Sequence, residues 1–169
     1  DGHRMTRCRD RRLPLLATVA AGIVLAWGIG SPRPALAVAA APSDDLPDLA
    51  DVKALIYSGA HQEAASRLEA LSHDVQHPEV YNLLGYSLRQ LGRHDEAGRA
   101  YREALHFDGS YRPALQYQGE LYLAIGDIDG ARRNLAYLRI VCGPVGCAEQ
   151  ERLAEALDRA GHAPEPPRP

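Results

Sequence analysis

YNLLGYSLRQLGRHDEAGRAYREALHFD, residues 81–108, contains two amphipathic segments on either side of a single glycine. Before Gly92, apolar residues recur at helical spacing, with Leu84 and Leu88 four residues apart. After Gly92, Ala97 and Ala104 lie seven residues apart, which places both on one face of a helix. The pattern predicts a helix, a turn at Gly92 and a second helix.

The same landmarks recur in two further stretches of the chain, at intervals of 33 and 34 residues. Each turn glycine is followed five residues later by an alanine, and four residues after that by a leucine or a tyrosine. The three sets are Gly59, Ala64 and Leu68; Gly92, Ala97 and Tyr101; and Gly126, Ala131 and Leu135. A period near 34 residues is typical of helix–turn–helix units that stack and share one core, so we predict three such units.

The central unit resembles the tetratricopeptide repeat family. The residues that match the family signature are Tyr81, Leu84, Gly85, Gly92, Ala97, Tyr101 and Ala104. Gly109 stands where the family usually has a closing proline. The resemblance implies an all-α solenoid of about three repeats, in which the first helices of successive units line a concave face.

Small residues in the repeat have a physical role in packing. Gly85 and Ala97 let the two helices of one unit cross closely, while Leu84 and Tyr101 fill the space beside them. We expect the equivalent positions of the other units to do the same.

The outer units depart from the signature. The third unit keeps Gly119, Gly126 and Ala131 but has Gln118 where leucine is usual. The first unit, from about residue 45 to 77, has Val52 in place of the small glycine, which predicts that its helices lie further apart. Atypical terminal repeats are common in solenoids.

A further amphipathic helix follows the third unit. In AEQERLAEALDRAG, residues 148–161, Leu153, Ala156 and Leu157 recur at helical spacing among charged residues. We predict that this helix caps the end of the stack. The helical domain then covers residues 45–160, preceded by a linker over 38–44 and followed by a disordered, proline-rich tail over 161–169.

Residues 1–37 have the organisation of an export signal. Four arginines between residues 7 and 12 precede an uncharged, largely apolar run over 13–32. Ala35, Leu36 and Ala37 then supply the small–x–small pattern that a signal peptidase requires. We predict cleavage after Ala37 and a location in the bacterial periplasm.

An uncleaved anchor in the inner membrane is the alternative, since the uncharged run is close to the ~20 residues that span a bilayer. The helical domain would still lie in the periplasm. Residues 1–4 precede Met5, the single methionine of the chain. We do not interpret these four residues, because extraneous sequence can precede a start methionine.

Charge argues against a nucleic-acid partner. The first 37 residues hold six arginines against two aspartates, so the remainder carries 13 basic and 20 acidic residues. Binding to phosphates depends on clustered Lys and Arg, which this acidic remainder lacks. We therefore expect no nucleic-acid ligand, and no membrane contact unless the signal segment is retained.

Two cysteines remain after the signal segment, Cys142 and Cys147, in the sequence CGPVGC. An exported chain favours a disulfide between them, and Gly143, Pro144 and Gly146 permit the tight reversal that it requires. Two free thiols, or a redox or metal role, are the alternatives. Cys8 lies in the predicted signal segment.

The remaining motifs favour neither a metal site nor an active site. His61 and His94 occupy equivalent positions after the turn glycines, as do His73 and His106 near the ends of the second helices. Equivalent positions in neighbouring units lie about 10 Å apart, too far to share one metal ion. The chain also lacks the common nucleophile, zinc-protease and phosphate-loop motifs, so we expect no cofactor and no catalysis.

Binding residues are expected on the concave face, at positions of the first helices that packing does not require. The candidates are Lys53, Ile56 and Tyr57 in the first unit; Asn82, Tyr86, Arg89 and Gln90 in the second; and Gln116, Glu120 and Leu123 in the third. Amides, an aromatic ring and both charges suit a peptide backbone and its side chains.

The sequence thus predicts a non-enzymatic scaffold that binds a segment of another exported or envelope protein. A periplasmic metal-binding or thiol-redox protein that uses Cys142 and Cys147 is one alternative. A self-associating scaffold, through the concave face or an uncapped end of the stack, is another.

Overall fold

The computed structural model describes residues 45–162. The predicted signal segment with Cys8, the linker over 38–44 and the tail from residue 163 onward lie outside the described residues.

The seven secondary-structure elements of residues 45–162 are all α-helices, which confirms the predicted fold class. Three helical hairpins are followed by one further helix. The helices are α1 (Ala50–Tyr57), α2 (His61–Ser72), α3 (Pro78–Gln90), α4 (His94–Phe107), α5 (Arg112–Ala124), α6 (Ile128–Cys142) and α7 (Ala148–Arg159). None of the seven has the length and apolar character that would let it cross a membrane.

The turn within each hairpin has one recurring geometry. Gly59, Gly92 and Gly126 have φ values of 80°, 74° and 83°. Residues with a Cβ atom rarely adopt this backbone conformation. After Gly92, the amide of Arg93 donates to the carbonyl of Leu88 at 3.0 Å, which closes the end of α3. Equivalent bonds follow the other two glycines, so the same helix ending is built three times.

Buried apolar residues form two clusters that meet at Leu105, which packs against both. The first cluster is centred on α2, α3 and α4 and includes Val80, Leu84 and Tyr101. The second joins α5, α6 and α7 through residues such as Leu138 and Leu153. Neighbouring hairpins therefore share a continuous interior, as the repeat period predicted.

The small repeat residues lie where helices approach most closely. Ala64, Ala97, Ala104 and Ala131 are fully buried. A Cβ atom added to Gly85 would lie 2.7 Å from the ring of Tyr101, closer than real Cβ contacts allow. Only glycine at position 85 therefore leaves room for the tyrosine of α4.

The third hairpin packs differently from the second. A Cβ atom on Gly119 would lie 2.5 Å from Leu153 in α7, so this glycine admits the capping helix instead of a residue of α6. Gln118 is buried, and its side chain accepts a hydrogen bond of 3.0 Å from Asn134 in α6. A hydrogen bond between helices thus replaces the apolar contact that a leucine would make.

Helix α7 covers the end of the stack with Leu153 and Leu157, both fully buried, while Ala156 is half-buried. Its end repeats the hairpin pattern, because Gly161 has a φ of 78° and the amide of His162 donates to the carbonyl of Leu157 at 2.8 Å. The cap therefore resembles the first helix of a further unit. Val52 is buried in the first cluster, and the wider spacing expected for that hairpin stays a prediction.

Candidate functional site

The first helices of the three hairpins, α1, α3 and α5, line one open cavity of about 460 Å³. The lining residues are Lys53, Ile56, Tyr57, Glu79, Asn82, Leu83, Tyr86, Pro113 and Tyr117. Five of them, Lys53, Ile56, Tyr57, Asn82 and Tyr86, are among the ten candidates that the sequence supplied. The second helices contribute no residue to this lining.

Two tyrosines from neighbouring hairpins form the apolar side of the cavity. The rings of Tyr86 in α3 and Tyr117 in α5 have centroids 5.2 Å apart at an angle of 60°. The guanidinium carbon of Arg89 lies 5.5 Å from the centroid of Tyr86 and 5.9 Å from that of Tyr117, within the range of a cation–π contact. These contacts restrict both rings, so little side-chain freedom is left to lose on binding.

The side chain of Arg89 is held in place by an ion pair with α5. Its Nη2 atom donates to Oε2 of Glu120 at 3.0 Å, and both side chains are largely buried. Nε2 of Gln116 donates to the other oxygen of Glu120 at 2.8 Å. Arg89, Glu120 and Gln116 therefore support the tyrosine pair, and they do not line the cavity themselves.

Five of the ten candidates, Arg89 among them, lie outside the cavity lining. Gln116 is only 3% exposed, because α5 turns this side chain toward Glu120 and the interior. Leu123 packs against the second apolar cluster. Glu120 is committed to Arg89 and Gln116, and Gln90 is exposed outside the cavity lining.

Asn82 lies at the base of the cavity with 2% of its surface exposed. Its Oδ1 atom is buried and accepts no hydrogen bond from any group in residues 45–162. A buried acceptor without a donor costs about 1–3 kcal/mol relative to one that is paired. The fold itself therefore leaves this oxygen without a donor.

The charges at the rim are neutralised in pairs. Nζ of Lys53 in α1 lies 3.0 Å from Oε1 of Glu79 in α3. Glu79 also accepts a hydrogen bond from the hydroxyl of Tyr111. The pKa of Tyr111 is raised mainly by burial and, to a smaller extent, by this hydrogen bond. With Arg89 paired to Glu120 as well, the cavity presents walls of little net charge.

Sequence reasoning missed four lining residues, which occupy two positions of the repeat that none of the ten candidates shares. Glu79 and Pro113 are 34 residues apart, as are Leu83 and Tyr117, so each pair occupies equivalent positions in α3 and α5. The period relates the missed residues to each other, but it does not indicate that these two positions face the cavity.

Cys142 and Cys147 are paired in the structure, with Cα atoms 5.5 Å apart, in the loop between α6 and α7. Gly143 and Gly146 have φ values of 67° and 75°, as the tight reversal requires. Neither cysteine lines the cavity. Residues 45–162 also hold no group of three or more His, Cys, Asp or Glu side chains arranged to bind a metal ion.

Comparison with known proteins identifies the central hairpin. A family model described as a tetratricopeptide repeat matches residues 78–111. A search of curated protein sequences gives no match.

Solved structures share the fold of the chain. A crystal structure of PcrH in complex with the chaperone-binding region of PopD has a TM-score of 0.59 at 21% identity and covers 66% of this chain and 86% of its own. PcrH in complex with the chaperone-binding region of PopB has a TM-score of 0.58 at 22% identity and covers 64% of this chain and 90% of its own.

Proposed function

We propose that this tetratricopeptide-repeat chain is a non-enzymatic scaffold that holds an extended segment of another protein in the cavity between α1, α3 and α5. The tetratricopeptide hairpin and structural neighbours that bind segments of other proteins support a role in protein interaction. The finer statement, the place and chemistry of the bound segment, rests on the cavity.

The unpartnered Oδ1 atom of Asn82 is the observation that carries the proposal. An extended peptide presents free backbone N–H groups, and one of them would donate to this oxygen once the Asn82 amide turns toward the open cavity. The gain is greatest where the acceptor is buried before binding, as it is here. A small apolar ligand has no N–H group and would leave the oxygen unpaired.

The side chain that enters the cavity should be apolar and uncharged. Tyr86 and Tyr117 offer aromatic area, with Ile56 and Leu83 beside them. The charged groups nearby already neutralise one another, so they attract neither an acidic nor a basic side chain strongly. We infer that the bound segment places one large apolar or aromatic side chain in the cavity, and that its backbone contacts the protein on either side of that side chain.

Structural neighbours support this mode of binding. PcrH is seen in complex with the chaperone-binding regions of PopB and PopD, which are segments of other proteins. The shared stack of helices is the common element, because sequence identity is low. We take from the comparison only the class of ligand, a segment of a polypeptide.

Site-specific photo-crosslinking in the producing cells tests the proposal. A photoreactive phenylalanine analogue at Tyr57, exposed beside the cavity, should capture a partner, and sequencing of the crosslinked peptide should place it in one short segment. The matched control carries the same analogue at Gln62, exposed on α2. Stronger capture of the same segment from position 62 would contradict the concave-face assignment.

The conservative variant Asn82→Leu separates binding from folding. Removing the unpaired amide should leave the free energy of unfolding unchanged or slightly higher, since an apolar group of similar shape replaces an unsatisfied one. A synthetic peptide of the crosslinked segment should nevertheless bind about tenfold more weakly, measured by calorimetry. Unchanged peptide affinity would show that Asn82 accepts no hydrogen bond from the segment.

Export to the periplasm is part of the proposal. The arginines before residue 13, the apolar run and the small residues at 35 and 37 support it. Mass spectrometry of the protein from a periplasmic fraction should give a mature chain that begins at Val38. Recovery of the uncleaved chain from inner membranes would favour the anchored alternative, and recovery from the cytoplasm would contradict both.

A further inference from the structure

Three large apolar side chains project from the outer side of the third hairpin and the loop that follows. Tyr137 and Ile140, one turn apart on α6, are 42% and 75% exposed, and Val145 in the Cys142–Cys147 loop is 95% exposed. We call these three residues the α6 patch. They lie apart from the concave cavity, whose lining comes from α1, α3 and α5 alone.

The repeat itself does not require an apolar surface here. The residues of α4 equivalent to Tyr137 and Ile140 are Glu103 and His106, and all four are exposed. The equivalent residues of the first hairpin are Ala70, in α2, and His73, directly after it. Tyrosine and isoleucine at these positions are thus peculiar to the third hairpin, and exposed apolar groups that packing does not explain point to a contact with another molecule.

A groove adjoins the α6 patch. It has a volume of about 580 Å³ and is lined by Arg139 of α6, by residues 143–146 and by Gln150 and Glu151 of α7. Val145 is one of its walls. Arg139 and Glu151 therefore place opposite charges around the same depression, and neither side chain has an ion-pair partner within residues 45–162.

We propose that the α6 patch and this groove form the contact between two copies of the chain. A two-fold contact brings the same surface of both copies together, so it requires a surface that is complementary to itself. This one carries a projecting apolar residue beside a depression, and a positive and a negative side chain that both lack partners. Val145 of each copy would enter the groove of the other, with Arg139 of one copy facing Glu151 of the second.

The proposed contact leaves both concave cavities open. A dimer would then present two binding cavities, and a partner with two suitable segments would be held more tightly than by one copy. The inference goes beyond the proposed function, because the dimer forms whether or not the cavity binds a polypeptide.

Analytical ultracentrifugation of the purified chain over a range of concentrations tests the proposal. The unaltered protein should show a monomer–dimer equilibrium. Arg139→Glu and Glu151→Arg each place like charges across the contact, so each variant alone should dimerise at least about tenfold more weakly. Arg99→Glu, a charge reversal on α4 outside the patch, is the matched control and should dimerise like the unaltered chain.

Ultracentrifugation of an equimolar mixture of the Arg139→Glu and Glu151→Arg variants is the decisive experiment. In a mixed dimer, the two substituted side chains would face each other with opposite charges, and the unaltered Arg139 of one copy would face the unaltered Glu151 of the other. Both pairs become attractive, so mixing should restore the association that neither variant shows alone. A purely monomeric protein, single variants that dimerise normally, or a mixture that stays monomeric would each overturn the proposal.

Discussion

Among the glycines of the central hairpin, Gly85 has the least space for a Cβ atom, because its Cα faces the ring of the fully buried Tyr101. Gly98, thirteen residues later in α4, is also buried, but a Cβ atom there would meet its nearest neighbour, an end atom of Arg102, at an ordinary 3.5 Å. The two glycines are thus alike in burial and in helical position and differ in available space.

Gly85→Ala and Gly98→Ala should consequently change stability in opposite directions. The first forces Tyr101 out of its place and should lower the free energy of unfolding by about 1–3 kcal/mol. The second gains helix propensity and should raise it by up to ~1 kcal/mol. Chemical denaturation of both variants measures the difference, and equal effects would show that Gly85 is not required by the Tyr101 ring.

Two tyrosines make the folded chain sensitive to alkali. Burial raises the pKa of Tyr101, and burial with the Glu79 hydrogen bond raises that of Tyr111, above the ordinary value near 10. Above pH 10 the unfolded chain releases these protons while the folded chain retains them, so rising pH favours unfolding. Below pH 10 both states bind the protons and this contribution is fully present.

The free energy of unfolding should therefore be independent of these groups up to about pH 9 and fall above pH 10, by at most about 1.4 kcal/mol per pH unit for each tyrosine. Tyr111→Phe should reduce that slope, whatever it does to stability at neutral pH. Denaturant titrations at several alkaline pH values give the slope. A variant slope equal to that of the unaltered chain would show that Tyr111 ionises normally when folded.

At the scale of elements, α7 packs closely against α5 at one glycine. Leu153 is fully buried against Gly119, and the second apolar cluster includes both Leu153 and Leu157. Truncation of a buried leucine leaves a cavity, so Leu153→Ala should lower the free energy of unfolding by about 2–5 kcal/mol.

A double-mutant cycle tests the contact between the two elements. Gly119→Ala alone should be destabilising, since its methyl group would collide with Leu153. Combined with Leu153→Ala, the same methyl group would enter the vacated space, so the pair should cost less than the sum of the single changes by at least ~0.5 kcal/mol. Strictly additive effects would mean that α7 does not pack against position 119.

For the whole molecule, the sequence period predicted the architecture because the turn glycines and buried alanines report local geometry. Gly92 marks a helix ending, and Ala97 marks a close crossing, without knowledge of any distant residue. The cap was also predictable, since Leu153 and Leu157 need a buried environment that only the end of the stack provides.

The interior of the site was less predictable. The ion pair between Arg89 and Glu120 joins residues 31 apart, and its formation depends on how α3 and α5 are placed relative to each other. Helical spacing predicted which face of α5 carries Gln116, but not how deeply the side chain is buried. A buried residue that supports the site was therefore taken for a surface residue. Asn82 was selected for its amide, whereas its value lies in an oxygen left unpaired by the fold.

Hydrogen–deuterium exchange of the full chain, with and without the crosslinked segment as a synthetic peptide, is the most direct test of where a polypeptide is held. Bound peptide should slow exchange in α1, α3 and α5, most of all around Asn82 and Tyr117, and leave the outer faces of α2 and α4 unchanged. Protection confined to α2, α4 or the Cys142–Cys147 loop would contradict a binding site in the concave cavity.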